Sequence, residues 1–250
     1  MTLRALQGAE RRAEAADRRA LAAAFRLAVR FELHEAIDNH FSLAIDDQRF
    51  LINPYGIHWA QLRARDLLVV DGDGRVLEGR GEVEATALHI HAAIHRRHPD
   101  ARCVLHTHMP YATAIACTEG GRLLPVSQTA ALFDGRIAYD DHYGGLGDNA
   151  DEGLRLAAAM ADKPVLFMAN HGIITTGADP ARAFNALYYL ERAARLQVLA
   201  ASTGRPLQLL PPEIVEKTAA AWTGMADHAT RHFSALVALL DAEAPDYAEL

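Results

Sequence analysis

Short apolar runs alternate along the chain with longer segments whose apolar residues recur at helical spacing. The run at 103–105 and the continuous run at 165–169 predict strands, the second of them buried on both faces. Alternation at 41–45, followed by a polar turn and the apolar run 50–52, predicts a hairpin. The Asp-Gly-Asp-Gly segment 71–74 predicts a second one. These elements indicate a sheet built partly from hairpins.

Helical periodicity appears in several segments. Leu21, Phe25 and Ala28 fall on one side of a helix predicted over 13–36, with arginines elsewhere on its surface. Pro110 suits the first turn of a helix, because that position needs no backbone N–H. The other predicted helices cover 84–99, 110–117, 149–160 and 179–203, and a helical tail follows Pro211.

The order of these elements predicts one domain. No repeat, low-complexity tract or linker divides the sequence. Alternating strands and helices predict a single α/β domain over 1–250, with helices on both sides of a mixed sheet. We place its core at about 15–205 and an accessory helical tail at 206–250. In the less regular middle of the chain, 125–128 and 136–139 favour further strands.

Composition narrows the classes of partner. The formal charge is −7, and no stretch gathers enough Lys and Arg to follow a phosphate backbone, so we expect no nucleic-acid partner. No apolar run approaches the length of a membrane span, and the N-terminal residues lack the apolar segment of a secretory signal. Cys103 and Cys117 are expected to be buried and unpaired. We therefore expect a cytoplasmic protein without a membrane partner.

Three histidines stand at predicted strand ends. His106 and His108 follow the first apolar run two residues apart, and side chains two apart in a strand share a face. His171 follows the second run, before a further short strand predicted at 172–176. If the two apolar strands are adjacent, the three imidazoles fit a divalent cation with one coordination position open, as in catalytic sites.

Other histidines are open to simpler interpretations. Two histidines two residues apart on a strand, such as His106 and His108, are often a chance surface pair. The presence of a third histidine, His171, at another strand end is what favours a metal site. His91 and His95 are four apart on a predicted helix, and the same spacing occurs at His228 and His232. Neither pair has a third ligand nearby in the sequence. We therefore expect these four to be core or solvated side chains.

Five short motifs carry a family resemblance. The motifs are Asn39 to Ser42, Asn-Pro-Tyr-Gly at 53–56, Gly-Glu-Val-Glu at 81–84, His-Thr-His with Pro110, and Asn-His-Gly at 170–172. In the order and spacing of these motifs, the sequence resembles the class II aldolase and adducin head-domain family, and within it the adducin-like bacterial branch. The resemblance implies a three-layer α/β/α sandwich with a central mixed, mainly antiparallel sheet, commonly in a homotetramer. It also implies a zinc or other divalent ion held by His106, His108 and His171.

The resemblance also assigns roles around the cation. It implies that Glu84 is the acid/base, although a carboxylate there also suits a helix N-terminus. His142 and Tyr143, in a polar loop, are candidate second acids. The candidate substrate-binding residues are Asn39, Tyr55, Gly56 and Glu82.

Two departures from the family bear on the substrate. Its sugar-phosphate aldolases carry a Gly-Asn near the first strand and a Ser-Ser pair before the acid, which cradle the phosphate. Here the corresponding residues are Asp38-Asn39 and Glu82-Val83. An added carboxylate and a valine remove hydrogen-bond donors and bring charge of the wrong sign. We therefore expect a small substrate that is not phosphorylated.

Three functions remain open at this point. The first is a metal-dependent lyase, an aldolase or an epimerase using the same step, that acts on a hydroxy-carbonyl compound. Zinc is the expected metal, and iron, manganese or cobalt are alternatives. The second is a non-haem iron oxygenase or decarboxylase with two of the histidines and Glu84 as ligands. The third is a non-catalytic binding or scaffold module like the adducin heads.

Overall fold

A computed structural model of the chain describes residues 3–147 and 149–250, and one eight-stranded sheet runs through this part of it. The strands are β1 (His40–Ala44), β2 (Arg49–Ile52), β3 (Leu68–Asp71), β4 (Val76–Glu78), β5 (Cys103–Thr107), β6 (Ile137–Asp140), β7 (Val165–Met168) and β8 (Gly172–Gly177). The sheet order is β4-β3-β2-β1-β5-β8-β7-β6, and every neighbouring pair is antiparallel except β6 and β7. The predicted mixed, mainly antiparallel sheet is therefore confirmed.

Helices connect the strands and begin where the sequence supplies caps. The helices are α1 (Leu3–Arg30), α2 (Ala85–Arg97), α3 (Pro110–Ala116), α4 (Gln128–Ala131), α5 (Ala150–Ala159), α6 (Pro180–Ala201), α7 (Pro212–Thr223) and α8 (His228–Glu243). Asp179 and Asn149 each accept a backbone N–H with their side chains, at the starts of α6 and α5. Pro110 occupies the first turn of α3.

Strand alternation divides the core into two faces. Along β5, Cys103 and Leu105 point to a core formed with α1, α3, α6 and α8, whereas Val104 points to a second core formed with α2 and α5. Helices thus cover both faces of the sheet, and the predicted three-layer α/β/α sandwich is confirmed. His106 lies two residues beyond Val104, so it projects on the α2 side.

Several predicted elements differ in detail. The first helix ends at Arg30, not near residue 36, because Glu32 and Ala36 adopt left-handed backbone with φ of 57° and 46°. Residues 125–128 form no strand, since the Ser127 side chain accepts the N–H of Ala130 and caps α4. Cys103 is buried as expected, but Cys117 is exposed at the end of α3, and both thiols are free.

The C-terminal segment packs on the main domain. Phe233 and Leu240 of α8 belong to the core that α1 and α6 form with the sheet. Arg26 of α1 donates to Asp246 at 2.7 Å, which ties the end of the chain to the first helix. Within the described residues, no helix has both the length and the apolar character that a membrane crossing requires.

Candidate metal centre

The end of β5 and the start of β8 bring three imidazoles together. His106 is the fourth residue of β5, His108 follows the strand, and His171 directly precedes β8. Their potential ligand atoms all lie within 4.8 Å of one another. The geometry arises because β8, and not β7 as the sequence suggested, is the neighbour of β5. Antiparallel pairing sets the start of β8 beside the end of β5, with Thr107 opposite Ile173.

The Asn-His-Gly motif builds the turn that carries His171. Asn170 has φ of 56°, a left-handed conformation that asparagine tolerates better than most residues. At Gly172, a Cβ atom would lie 2.7 Å from both the His108 ring and the Thr107 carbonyl oxygen. A side chain at position 172 would therefore push the ligand rings apart, so the motif places one ligand and leaves room for the other two.

The protonation pattern of two rings fits a bound cation. His106 Nδ1 lies 3.0 Å from the carbonyl oxygen of Ile173, and His108 Nδ1 lies 2.7 Å from a carboxylate oxygen of Glu35. Both partners accept hydrogen bonds, so each Nδ1 carries the proton and each Nε2 of the neutral ring has a free lone pair. These two Nε2 atoms are 3.1 Å apart. Lone pairs facing each other at that distance repel unless a positive charge lies between them.

Burial disfavours a proton as the positive charge between these ring nitrogens. The pKa of His106 is lowered well below its ordinary value, first by burial and then by the neighbouring histidines. Burial, with His108 nearby, lowers the pKa of His171 to about 4. His106 and His171 are therefore neutral near pH 7, which is the form that binds metal. Three imidazole nitrogens with an open side suit zinc and other divalent transition metals.

A cavity of about 500 Å³ opens onto the three rings. Its described lining includes the carboxylates Glu35, Asp38 and Glu84 but neither Lys nor Arg. A larger cavity of about 620 Å³ lies beside it and shares Asn170, but no histidine lines it. Because the potential ligands converge only on the smaller cavity, we take that one as the candidate active site.

Glu84 caps a helix and also lies at the cavity where an acid/base is expected. Its carboxylate caps α2 by accepting the N–H of Thr86 at 3.0 Å and the N–H of Ala87 at 2.8 Å, and it also accepts the Thr86 hydroxyl. The residue also lines the cavity with the histidines. The cap and the cavity are therefore compatible, because the start of α2 forms part of the cavity wall.

The other predicted site residues separate into two groups. Asn39, Tyr55 and Tyr143 line the cavity, and the ring centroid of Tyr143 is 6.4 Å from that of His171. The remaining three do not line it: His142 and Glu82 are exposed outside it, and Gly56 lines a different cavity. The backbone carbonyl of Glu82 accepts the N–H of Tyr55, so Glu82 contributes to the loop through its main chain.

A chain of buried polar side chains lies behind the site, and sequence reasoning missed it. His40 on β1 pairs in register with His106, and its Nδ1 is 2.7 Å from His91 Nε2. His91 Nδ1 contacts the Ser42 hydroxyl, which lies 2.7 Å from His95 Nε2. The four-residue spacing of His91 and His95 was the available signal. As expected, neither belongs to the metal cluster.

Comparison with known protein families agrees with the motifs. The family model described as "Class II Aldolase and Adducin N-terminal domain" matches residues 19–198. A Caulobacter vibrioides protein with a class 2 aldolase name is 32% identical over 249 residues, covering 98% of this chain and 96% of its own length. Rat alpha-adducin is 34% identical over 201 residues, which are 77% of this chain but 27% of that protein.

Solved structures share the fold. An aldolase II superfamily protein from Pseudomonas syringae superimposes with a TM-score of 0.88 at 34% identity, covering 94% of this chain and 96% of that one. L-fuculose 1-phosphate aldolase from Glaciozyma antarctica gives a TM-score of 0.81 at 23% identity, covering 94% of this chain and 93% of that one. At that identity the second likeness concerns the fold alone.

The close approach at Gly172 generates one prediction. We expect Gly172→Ala to weaken zinc binding by tenfold or more, because the added Cβ would displace the His106 and His108 rings. Competition with a chromogenic chelator measures the affinity. Gly224→Ala, at a right-handed position where a Cβ would meet only ordinary contacts of 3.5 Å or more, is the control for adding a methyl group. Equal zinc affinity in Gly172→Ala and wild-type protein would contradict this account of the turn.

The buried histidine chain generates a second prediction. Burial is the main cause that lowers the pKa of His40 to about 3 and of His95 to about 4. Because these pKa values lie below those of the unfolded chain, stability is retained above about pH 6.5 and decreases as the pH falls towards 4. Urea unfolding of the metal-free protein at a series of pH values should show this decrease in the free energy of unfolding. In His95→Gln, the slope of that free energy against pH should be shallower by up to about 1.4 kcal/mol per pH unit. The control is His58→Gln, at an exposed histidine, which should keep the wild-type slope. If the free energy of unfolding of His95→Gln followed pH in parallel with wild type, buried His95 would not contribute to the loss of stability at low pH.

Proposed function

The chain belongs to the class II aldolase and adducin family, and from that premise we propose that it is a metal-dependent lyase for reversible aldol cleavage of a small, non-phosphorylated hydroxy-carbonyl compound. The observation that carries the proposal is the convergence of three imidazoles on one cavity. A purely structural core would gain nothing from lone pairs directed at each other. We further propose that zinc is the native metal and that the protein assembles as a homotetramer.

The proposed ligands determine what the cavity can do. A divalent cation held by His106, His108 and His171 would polarise a substrate carbonyl and offset the negative charge that develops as a carbon–carbon bond breaks. The three side chains contribute no negative charge of their own, because each is a neutral imidazole. Their sulfur-free donor set and open side favour zinc, while iron, manganese and cobalt remain alternatives.

We assign the proton transfer to Glu84. Its carboxylate lines the same cavity and is oriented by the N–H groups of Thr86 and Ala87. In the cleavage direction, Glu84 would accept the proton of the substrate hydroxyl as the carbon–carbon bond breaks, and in the reverse direction it would return that proton. Tyr143, which also lines the cavity, is the better placed candidate for the second acid, and His142 would need the loop to move.

The charge of the cavity supports a substrate without phosphate. Among the described residues, its lining offers three carboxylates and no guanidinium or ammonium group. A phosphate dianion there would meet Glu35, Asp38 and Glu84 with only the metal to counter its charge. Asn39 can offer a phosphate only part of its donor capacity, because one of its two side-chain N–H groups already bonds the Asp38 carbonyl at 3.0 Å.

The two other functions have different support. An iron oxygenase with two histidines and Glu84 as ligands is less favoured, because the ligand cluster comprises three histidines without Glu84. A scaffold role has the support of the adducin relatives, of which rat alpha-adducin is 34% identical over the matched region. Metal-dependent turnover separates the lyase from the scaffold, and substrate-dependent oxygen uptake identifies an oxygenase.

The proposal predicts a metal-dependent activity with a charge preference. Protein purified without chelator should contain about one zinc per chain by elemental analysis. It should cleave L-fuculose-like ketoses in preference to their 1-phosphates, because no basic side chain among the described lining residues would counter the charge of a phosphate. His171→Ala should lose the metal and the activity. Glu84→Gln should keep the metal and lose about 10²-fold or more in kcat.

The matched control is His58→Ala, at an exposed histidine outside the cavity. It should leave both metal content and turnover unchanged. Turnover that survives complete metal removal, or a 1-phosphate cleaved faster than its parent sugar, would contradict the proposal. Metal-loaded protein with no turnover on a broad panel of hydroxy-carbonyl compounds would favour the scaffold function.

A further inference from the structure

We propose that Glu35 is a positioning residue of the metal centre, which holds the His108 ring so that its Nε2 faces the cation. This inference depends on the proposed metal site. It adds Glu35, which belongs to none of the sequence motifs and has no part in the proposed proton transfer. Oε2 of Glu35 is 2.7 Å from His108 Nδ1. The opposite nitrogen of the same ring is the one that lies 3.1 Å from His106 Nε2.

The three ligands are held by different means. His106 donates its Nδ1–H to the carbonyl of Ile173, which belongs to the neighbouring strand and is fixed by the sheet. His108 lies beyond the end of β5, and its ring has the Glu35 carboxylate as acceptor. Among the described residues, His171 has ring contacts but no side-chain hydrogen bond. The orientation of His108 therefore depends on one removable side chain.

The loop after α1 places Glu35 in this position. The chain leaves the helix with left-handed backbone at Glu32 and Ala36, where φ is 57° and 46°. Oδ1 of Asn39 accepts the backbone N–H of Glu35 at 2.7 Å and that of His108 at 3.4 Å. One amide thus joins the backbones of both residues. Left-handed conformations in residues other than glycine persist where the surrounding structure holds them, and they concentrate at functional sites.

The chemistry of the contact explains its use. A carboxylate that accepts the Nδ1–H of a metal-binding imidazole fixes the tautomer, orients the ring and makes Nε2 a better donor. The Glu35 side chain is 62% exposed, so the contact contributes little to the stability of the fold. An exposed hydrogen bond with little stabilising effect, made to a metal ligand, indicates a role at the metal rather than in folding.

Zinc affinity of the full-length, metal-free protein tests the proposal. Glu35→Ala should bind zinc about 10- to 100-fold more weakly in chelator competition, which is the usual effect of losing such a partner. Glu35→Gln should recover part of this loss, because the amide oxygen still accepts the Nδ1–H without the charge. Glu32→Gln removes one charge from the same loop at an exposed position and should bind like wild type. The thermal unfolding midpoint of the metal-free variants should not change.

A spectroscopic measurement reports the contact itself. In cobalt-substituted protein, the Nδ1–H protons of metal-bound histidines give shifted proton resonances that persist when the proton is held from exchange with water. The His108 resonance should broaden or disappear in Glu35→Ala, whereas the His106 resonance, protected by Ile173, should remain.

The outcomes distinguish this inference from the proposed function. If wild type binds zinc, His106→Ala abolishes binding, and Glu35→Ala retains full affinity and both resonances, Glu35 has no positioning role. Wild-type protein that binds no zinc overturns the proposed function and this inference together. Equal losses in Glu35→Ala and Glu32→Gln would indicate a general charge effect and would also overturn it.

Discussion

The candidate site depends on two imidazole lone pairs that face each other. The carbonyl of Ile173 and the carboxylate of Glu35 both accept hydrogen bonds, so in the neutral rings the Nε2 atoms of His106 and His108 are unprotonated, and these atoms lie 3.1 Å apart. Burial opposes the protonation that would otherwise relieve the repulsion at His106. A divalent cation satisfies both nitrogens at once, and His171 completes the set. The remaining features of the site serve to maintain this convergence.

The sheet supplies most of that geometry. Strand alternation directs His106 to the same face as His40 and away from the α1 core, and antiparallel pairing aligns the start of β8 with the end of β5. The turn before β8 adds His171, and Gly172 admits the rings of the other two ligands. The start of α2 then contributes the Glu84 carboxylate to the wall of the same cavity. Parts of β1, β5, the turn before β8 and the start of α2 meet there, because three central strands of the sheet have ends on the same side.

Much of this arrangement could be predicted from the sequence. The two-residue spacing of His106 and His108 has a direct meaning in a strand, and the apolar run before His171 marks a buried strand end. The order of short motifs gave the sandwich fold. The insertion of β8 between β5 and β7 could not be predicted, because strand pairing is set by tertiary packing and not by the pattern within one strand.

The supporting contacts were equally hidden from the sequence. Glu35 reaches His108 through left-handed backbone at Glu32 and Ala36, and neither residue type signals that conformation. The contact of Ser42 with His91 joins a strand and a helix 49 residues apart, which periodicity cannot reveal. The predictions for two loop side chains failed because backbone conformation in a loop cannot be inferred from residue type. His142 and Glu82 lie in polar segments next to the site, but the backbone directs them outside the cavity.

Anomalous diffraction from crystals of protein purified without chelator tests the central claim most directly. Data collected on both sides of the metal absorption edge should give one strong peak about 2.0–2.1 Å from a nitrogen of each of His106, His108 and His171. A peak at another site, or ordered density for the three rings with no peak between them in metal-replete crystals, would contradict the account.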